Sequence, residues 1–380
     1  MAGLLSKGSI VTTLTDLLTP GAKALHPYQP GKPVSDLARE MGLDPASIVK
    51  LASNENPLGP SPMALAAMQD VGSLSRYPDG GGFELRQTLA EQLEVEAAQI
   101  TLGNGSSDLL DFVTRIFVQP GDNIVVSEHA FSLYGLNATA VSAEVREAPA
   151  KNFGHDLDAM AAQVDERTRL VFITNPNNPT GTWLSEAEIR GFLAQLPAHV
   201  ITILDEAYFE FVDEAEYPNG VRLLADFPRL LVTRTFSKAY GLAALRVGFG
   251  VSSSEMAALL NRVRPPFNVN APAQAAAVAA VKDQAHVQRS ITANRLGMKQ
   301  LIGAFEQLGL DYLPSVGNFI CVRLQNAVEI NQALLRRGVI VRALGGYGMP
   351  EYLRVSIGTE AENKRFIDML TEVLQQGEAV

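Results

Sequence analysis

Five short runs of the chain are almost continuously apolar: NIVVSEH (123–129), LVFITNP (170–176), VITILDEAY (200–208), LLVTRTFS (230–237) and RVGFGVS (246–252). A half-exposed strand alternates apolar and polar residues, whereas runs this dense suit strands buried on both faces. Helical periodicity separates several of them, as at 185–196, and further helices are predicted at 34–42, 63–70 and 83–96. GNGSSDLLDFVTRIFV (103–118) opens with a Gly-rich turn and continues with a helix-period apolar pattern. Such alternation predicts an α/β fold, a mainly parallel sheet layered between helices. Residues 20–33, rich in Pro and Gly, predict an extended arm, and IVKLASNENPLGPSP (48–62) predicts a short strand entering a Pro-rich loop.

The rhythm changes at RPPFNVNAPAQ (264–274). One long helical stretch is predicted from about 272 to 308, followed by strands at NFICVRL and YLRVSIG with a helix near 328–337 between them. The expected organisation is an N-terminal arm at 1–45, a large domain at 46–267 and a smaller C-terminal α/β domain at 268–380.

Composition narrows the class. A chain of 380 residues, 47% hydrophobic, exceeds one ordinary core and fits a large domain plus a small one. The charged fraction of 19% indicates a globular rather than a disordered chain. A net charge of −10 disfavours nonspecific binding to nucleic acid or anionic membranes. Cys321 is the only cysteine, which excludes an internal disulfide and cysteine-cluster zinc sites and makes the cytoplasm the simplest compartment. No apolar run is long enough to span a bilayer, and Lys7, Ser9, Thr12 and Thr13 interrupt the N-terminus where a signal peptide would be apolar.

Three places carry candidate chemistry. Gly103-Asn104-Gly105-Ser106-Ser107 opens a helix, whose first N–H groups suit a phosphate; a plain glycine turn capped by serine is the alternative. Asp205 ends an apolar run, where an α/β sheet places ligands, and a carboxylate there can hold a ring nitrogen protonated. Asp205, Glu206 and Glu210 are an alternative metal-binding set, but none of the five histidines lies beside them, and an Asp at a strand end is more often a turn former or helix cap. Lys238 follows the next run, among Thr235, Ser237 and Gly241, with Arg246 eight residues on. Burial and nearby positive charge would free such a lysine of its proton for imine formation; the alternative is an ordinary solvated lysine.

Taken together, KLASNENPLGPSP, RYPDGGGFELR, ITNPNNPTG, DEAYFEF, TRTFSKAYGLAALRVGFG and YLRVSIGT resemble the fold-type-I pyridoxal-phosphate aminotransferases. Within these the chain is similar to the histidinol-phosphate aminotransferases, from about residue 26 to 370. The resemblance implies pyridoxal 5'-phosphate held by Lys238, with Asp205 on the pyridinium nitrogen and Tyr208 and Asn178 on the phenolic oxygen. It implies a phosphate site from Ser106, Ser107, Thr235, Ser237 and Arg246, joined by Tyr77 of a partner subunit. Phe131 falls where the family has a stacking aromatic, with Tyr134 as the rival placement. Arg354, Arg342, Tyr28 and Asn54 would meet the substrate.

The implied activity is transamination of L-histidinol phosphate with 2-oxoglutarate, in a homodimer with shared active sites and without a metal. An aromatic amino-acid aminotransferase, a threonine-phosphate decarboxylase and a noncatalytic coenzyme-binding regulatory protein are the alternatives on the same scaffold.

Overall fold

A computed structural model describes residues 13–27, 31–72 and 74–376. Its strands, in chain order, are β1 (Val49–Lys50), β2 (Ile100–Gly103), β3 (Asn123–Ser127), β4 (Glu144–Ala148), β5 (Thr168–Thr174), β6 (Ile201–Asp205) and β7 (Leu230–Thr235). After these come β8 (Gly248–Val251), β9 (Tyr312–Leu313), β10 (Phe319–Arg323), β11 (Val339–Ile340), β12 (Arg342–Ala343) and β13 (Tyr352–Ser356).

Seven of them form one sheet in the order β2-β8-β7-β6-β5-β3-β4. All neighbours are parallel except β8, which runs antiparallel to both β2 and β7. Successive residues of each central strand enter different cores. Val125, Val171, Ile173, Leu204 and Val232 face the helices Pro62–Gln69, Phe83–Leu93, Glu186–Gln195 and Ala271–Lys282. Ile124, Leu170, Phe172, Ile203 and Leu231 face Ser106–Phe117, Leu133–Ala140 and Ser254–Leu260. Burial on two faces explains why the strands read as unbroken apolar runs. β4 escapes that signal: its EVREA sequence lies at the sheet edge and is mostly outside the core.

The C-terminal part holds the four-stranded antiparallel sheet β12-β13-β10-β9 and the parallel pair β1-β11. Helices Gln284–Gln307, Ala327–Arg336 and Glu360–Gln376 supply its core with Leu301, Phe305, Leu334, Phe366 and Leu370. Leu51 belongs to this core, and its backbone bonds both Ile340 and Ser356, so the residues just before the Pro-rich loop pack with the C-terminal elements.

Two expectations need correction. The helix at 272–308 is two helices, broken at Asp283, whose side chain caps the second by accepting from the His286 N–H. Within the arm read as extended, Pro20–Ala24 is helical, because Thr19 caps it and Pro20 occupies its first position.

Behind the sheet's functional end, Arg234 is buried in an ion pair with Glu206 at 2.8 Å and lies 3.6 Å over the Phe209 ring. A buried charge deprived of its partner has no water to compensate it. Replacing Arg234 with Met should therefore destabilise the protein by about 3–5 kcal/mol. Urea unfolding should show this as a lowered midpoint, partly restored by adding Glu206→Gln.

Candidate active site

A cleft of about 220 Å³ opens where the carboxyl ends of β5, β6 and β7 meet the C-terminal part of the chain. Side chains near strand ends project past the last ladder bonds, which places Thr174, Asp205 and Thr235 on its wall.

One end of the cleft is built for an anion. Gly105 has φ +81° and precedes the helix that begins at Ser106. A side chain at Gly105 would meet the Arg246 guanidinium, its Cβ only 2.5 Å from Nη2. At Gly248 a Cβ would lie 2.4 Å from the Ser106 nitrogen, so two glycines let the turn, β8 and Arg246 close on one another. Arg246 donates to Ser237 Oγ at 3.3 Å and to the Ala243 carbonyl at 3.1 Å, hydroxyl and carbonyl partners that leave its charge uncompensated. Ser107 and Thr235 line the same end.

In the middle of the cleft Lys238 Nζ donates to the Ser53 carbonyl at 3.0 Å. Burial, then Arg354 and Arg246, lower its pKa from 10.5 to about 7, with Glu55 and Asp205 opposing. Asp205 is buried, and burial raises its carboxyl above the ordinary range against hydrogen bonds from Tyr134, Thr233 and the Ala207 N–H. Tyr134 donates to Oδ2 at 2.8 Å. The other oxygen, Oδ1, is buried without a hydrogen bond of ordinary geometry, although the Thr233 hydroxyl lies near enough to favour its charged form.

The far wall joins sheet to C-terminal part. Asn54 has φ +53°; its Nδ2 donates to the Tyr208 hydroxyl at 2.9 Å, and Ser356 donates to its Oδ1 at 2.9 Å. Burial pushes the Tyr208 phenol up to about 12, opposed by Arg354 and by the Asn54 bond. Arg354, on β13, donates to Asn178 Oδ1 and, at 2.9 Å, to the Ala52 carbonyl; its Nε is buried without a partner. Phe131 and Arg342 complete the lining.

The structure thus gathers Ser106, Ser107, Phe131, Asn178, Asp205, Tyr208, Thr235, Ser237, Lys238 and Arg246 in one cleft with Asn54, Arg342 and Arg354. Tyr77 lies outside it, 82% exposed and stacked on Phe267 at 4.6 Å. Tyr28 falls outside the described residues. Ser53, Thr174 and Tyr347 were not legible as site residues. Ser53 acts through its carbonyl, which no side-chain pattern reveals. Tyr347 enters the wall from a glycine-rich loop, and the Gly345, Gly346 and Gly348 that flank it were the available signal.

The profile of the family described as "Aminotransferase class I and II" matches residues 46–370. This chain belongs to that family. It is 56% identical to histidinol-phosphate aminotransferase 2 of Pseudomonas fluorescens (strain Pf0-1), over 95% of this chain and 98% of the relative. It is 57% identical to histidinol-phosphate aminotransferase 2 of Pseudomonas aeruginosa, over 94% and 98%. Among solved structures, histidinol-phosphate aminotransferase from Sinorhizobium meliloti, in complex with pyridoxal-5'-phosphate, superimposes with a TM-score of 0.87 at 28% identity, over 94% of this chain and 98% of that one.

The cleft fits a flat, phosphorylated aldehyde. The glycine turn and Arg246 offer an anion cradle, Lys238 an amine that sheds its proton near neutrality, and Asp205 Oδ1 an acceptor for a ring N–H. A pKa of about 7 leaves the amine mostly neutral above that pH. In the coenzyme-free protein, borohydride trapping with pyridoxal 5'-phosphate should label Lys238 at a rate that rises through pH 7 and then levels. A rate still rising toward the ordinary lysine value of 10.5 would show that burial does not set this amine.

Proposed function

We propose that this protein is a pyridoxal 5'-phosphate-dependent aminotransferase that exchanges the amino group of L-histidinol phosphate with 2-oxoglutarate. The products are imidazole-acetol phosphate and L-glutamate. The observation that carries the reading is the convergence of a deprotonatable lysine, a buried carboxylate, an anion cradle and two arginines in one cleft. The substrate rests on the high identity to histidinol-phosphate aminotransferases along nearly the whole chain.

When bound, the coenzyme supplies an electron sink for the electrons left at the donor's Cα. The chain's own residues do the rest. Ser106 and Ser107, at the start of their helix, hold the phosphate with Thr235, Ser237 and Arg246, because N–H groups and a guanidinium converge there. The Asp205 carboxylate keeps the ring nitrogen protonated. Tyr208 donates toward the phenolic oxygen, as does the Asn178 amide NH2, whose own oxygen accepts from Arg354. Phe131 covers the ring face. Lys238 Nζ, neutral when free, takes the donor's Cα proton and later returns one, acting first as base and then as acid.

Arg354 and Arg342 serve both substrates in turn, since an arginine fork pairs with phosphate and carboxylate alike. Asn54 borders the donor and sets Tyr208. Alternating donor and acceptor in one site makes the kinetics ping-pong. The reading includes a homodimer in which the exposed Tyr77 reaches the phosphate site of the partner subunit, and a cytoplasmic setting. Among the described residues no helix is long and apolar enough to cross a membrane.

Three measurements test the proposal. A donor panel should give a kcat/KM for histidinol phosphate well above that for phenylalanine; the reverse order would assign an aromatic amino-acid aminotransferase. Lys238→Ala should lose nearly all turnover and still bind coenzyme through its phosphate, so normal turnover would remove Lys238 from the chemistry. Arg354→Ala should raise KM roughly hundredfold, as expected for a truncated buried charged contact. An unchanged KM would place the substrate anion elsewhere.

A further inference from the structure

Phe131 and Tyr134 are rival stacking residues by sequence, and the structure separates them. Phe131 lines the cleft. Tyr134 is fully buried beneath it, on the helix Leu133–Ala140, with its ring stacked on Phe172 at 4.5 Å and meeting Phe131 edge-on at 5.7 Å. Its hydroxyl lies 2.8 Å from Asp205 Oδ2 and 2.8 Å from Thr174 Oγ1.

A phenol has one proton to give, and a carboxylate is a stronger acceptor than a hydroxyl. The Tyr134 proton therefore points at Asp205, and the Thr174 hydroxyl donates to the Tyr134 oxygen. Thr174 is fixed in turn by its own N–H, which donates to His155 Nε2 at 2.9 Å. Burial lowers that imidazole's pKa to about 4, so its Nε2 remains an acceptor. The donors Thr174 and Tyr134 thus run in one direction and end on the carboxylate.

We infer that Tyr134 is a positioning residue for the reaction, orienting the Asp205 carboxylate as an acceptor-only anion toward the coenzyme's ring nitrogen. The inference rests on the reading that Asp205 faces that nitrogen. Burial alone would favour a neutral acid at position 205, and a neutral acid cannot stabilise a protonated ring. Tyr134 supplies a donor that does not titrate in the working range, because burial also raises its phenol well above 10. A single side chain thereby supports the ring from two sides: its hydroxyl sets the acid, and its ring packs at right angles against Phe131.

Tyr134→Phe keeps the ring and its stack on Phe172 and deletes only the hydroxyl. Fluorescence titration of the coenzyme-free variant with pyridoxal 5'-phosphate should show a dissociation constant raised roughly ten- to hundredfold, the range for a hydrogen bond to a charged group. Turnover should show a lowered kcat, with KM for the amino donor within about twofold of wild type.

Asp205→Ala closes a double-mutant cycle. With no carboxylate to orient, adding Tyr134→Phe should weaken coenzyme binding no further. Equal losses in both backgrounds would make Tyr134 a packing residue and overturn the inference, as would wild-type affinity in Tyr134→Phe alone. Undiminished coenzyme affinity in Asp205→Ala alone would instead refute the placement of Asp205 under the ring, and the inference would fall with it.

Discussion

Taking an amine and a carboxylate out of water in the same cleft is the constraint around which the rest of this structure is arranged. Lys238 and Asp205 are both shifted by burial, in opposite senses: the lysine toward its free base and the acid toward its neutral form. Only the first shift suits imine formation and a protonated ring, the roles proposed for the two residues. The surroundings reinforce it with the positive charges of Arg354 and Arg246, and they resist the second with donors from Tyr134, Thr233 and the Ala207 N–H. One desolvated pocket therefore brings the free base of the lysine down toward neutral pH, where in water the amine would stay protonated, while hydrogen-bond donors favour the charged form of the acid beside it.

The sheet makes this possible by bringing strand ends together. β5, β6 and β7 are adjacent and parallel, so Thr174, Asp205 and Thr235 emerge side by side although they are far apart in sequence. The antiparallel β8 lies between β7 and β2 and, through Gly248, admits the helix start at Ser106. The opposite wall comes from the C-terminal part. Arg354 holds Asn178 and Ala52, Ser356 holds Asn54, and Asn54 holds Tyr208. Two sets of hydrogen bonds from β13 thus join the two sheets along one wall of the cleft.

Much of this was legible from the order of residues. The dense strands announced a sheet covered on both faces, and Asp205 and Lys238 stood at the ends of two such runs. The glycine turn at 103–107 was visible as a candidate anion site because helix initiation leaves N–H groups unpaired. Contributions made through the backbone or across long separations were hidden. Ser53 offers a carbonyl, which every residue possesses. Tyr134 reads as a rival to Phe131 until its hydroxyl is found on Asp205. β4 lacks the apolar density of its neighbours because the sheet edge exposes it. Asp283, which divides one predicted helix into two, caps the second by a local bond that periodicity alone does not register.

The sequence by itself determined the layered α/β class and the aminotransferase family, and it singled out Lys238 as a candidate, because burial patterns and closely spaced motifs are local properties of a chain. The tertiary structure alone decided which aromatic residue covers the cleft and which holds the acid, and it alone joined Arg354 to Asn178 and Asn54 to Tyr208. Those outcomes depend on distances of a few ångströms between side chains that strand crossovers bring together, and such distances have no counterpart in residue spacing.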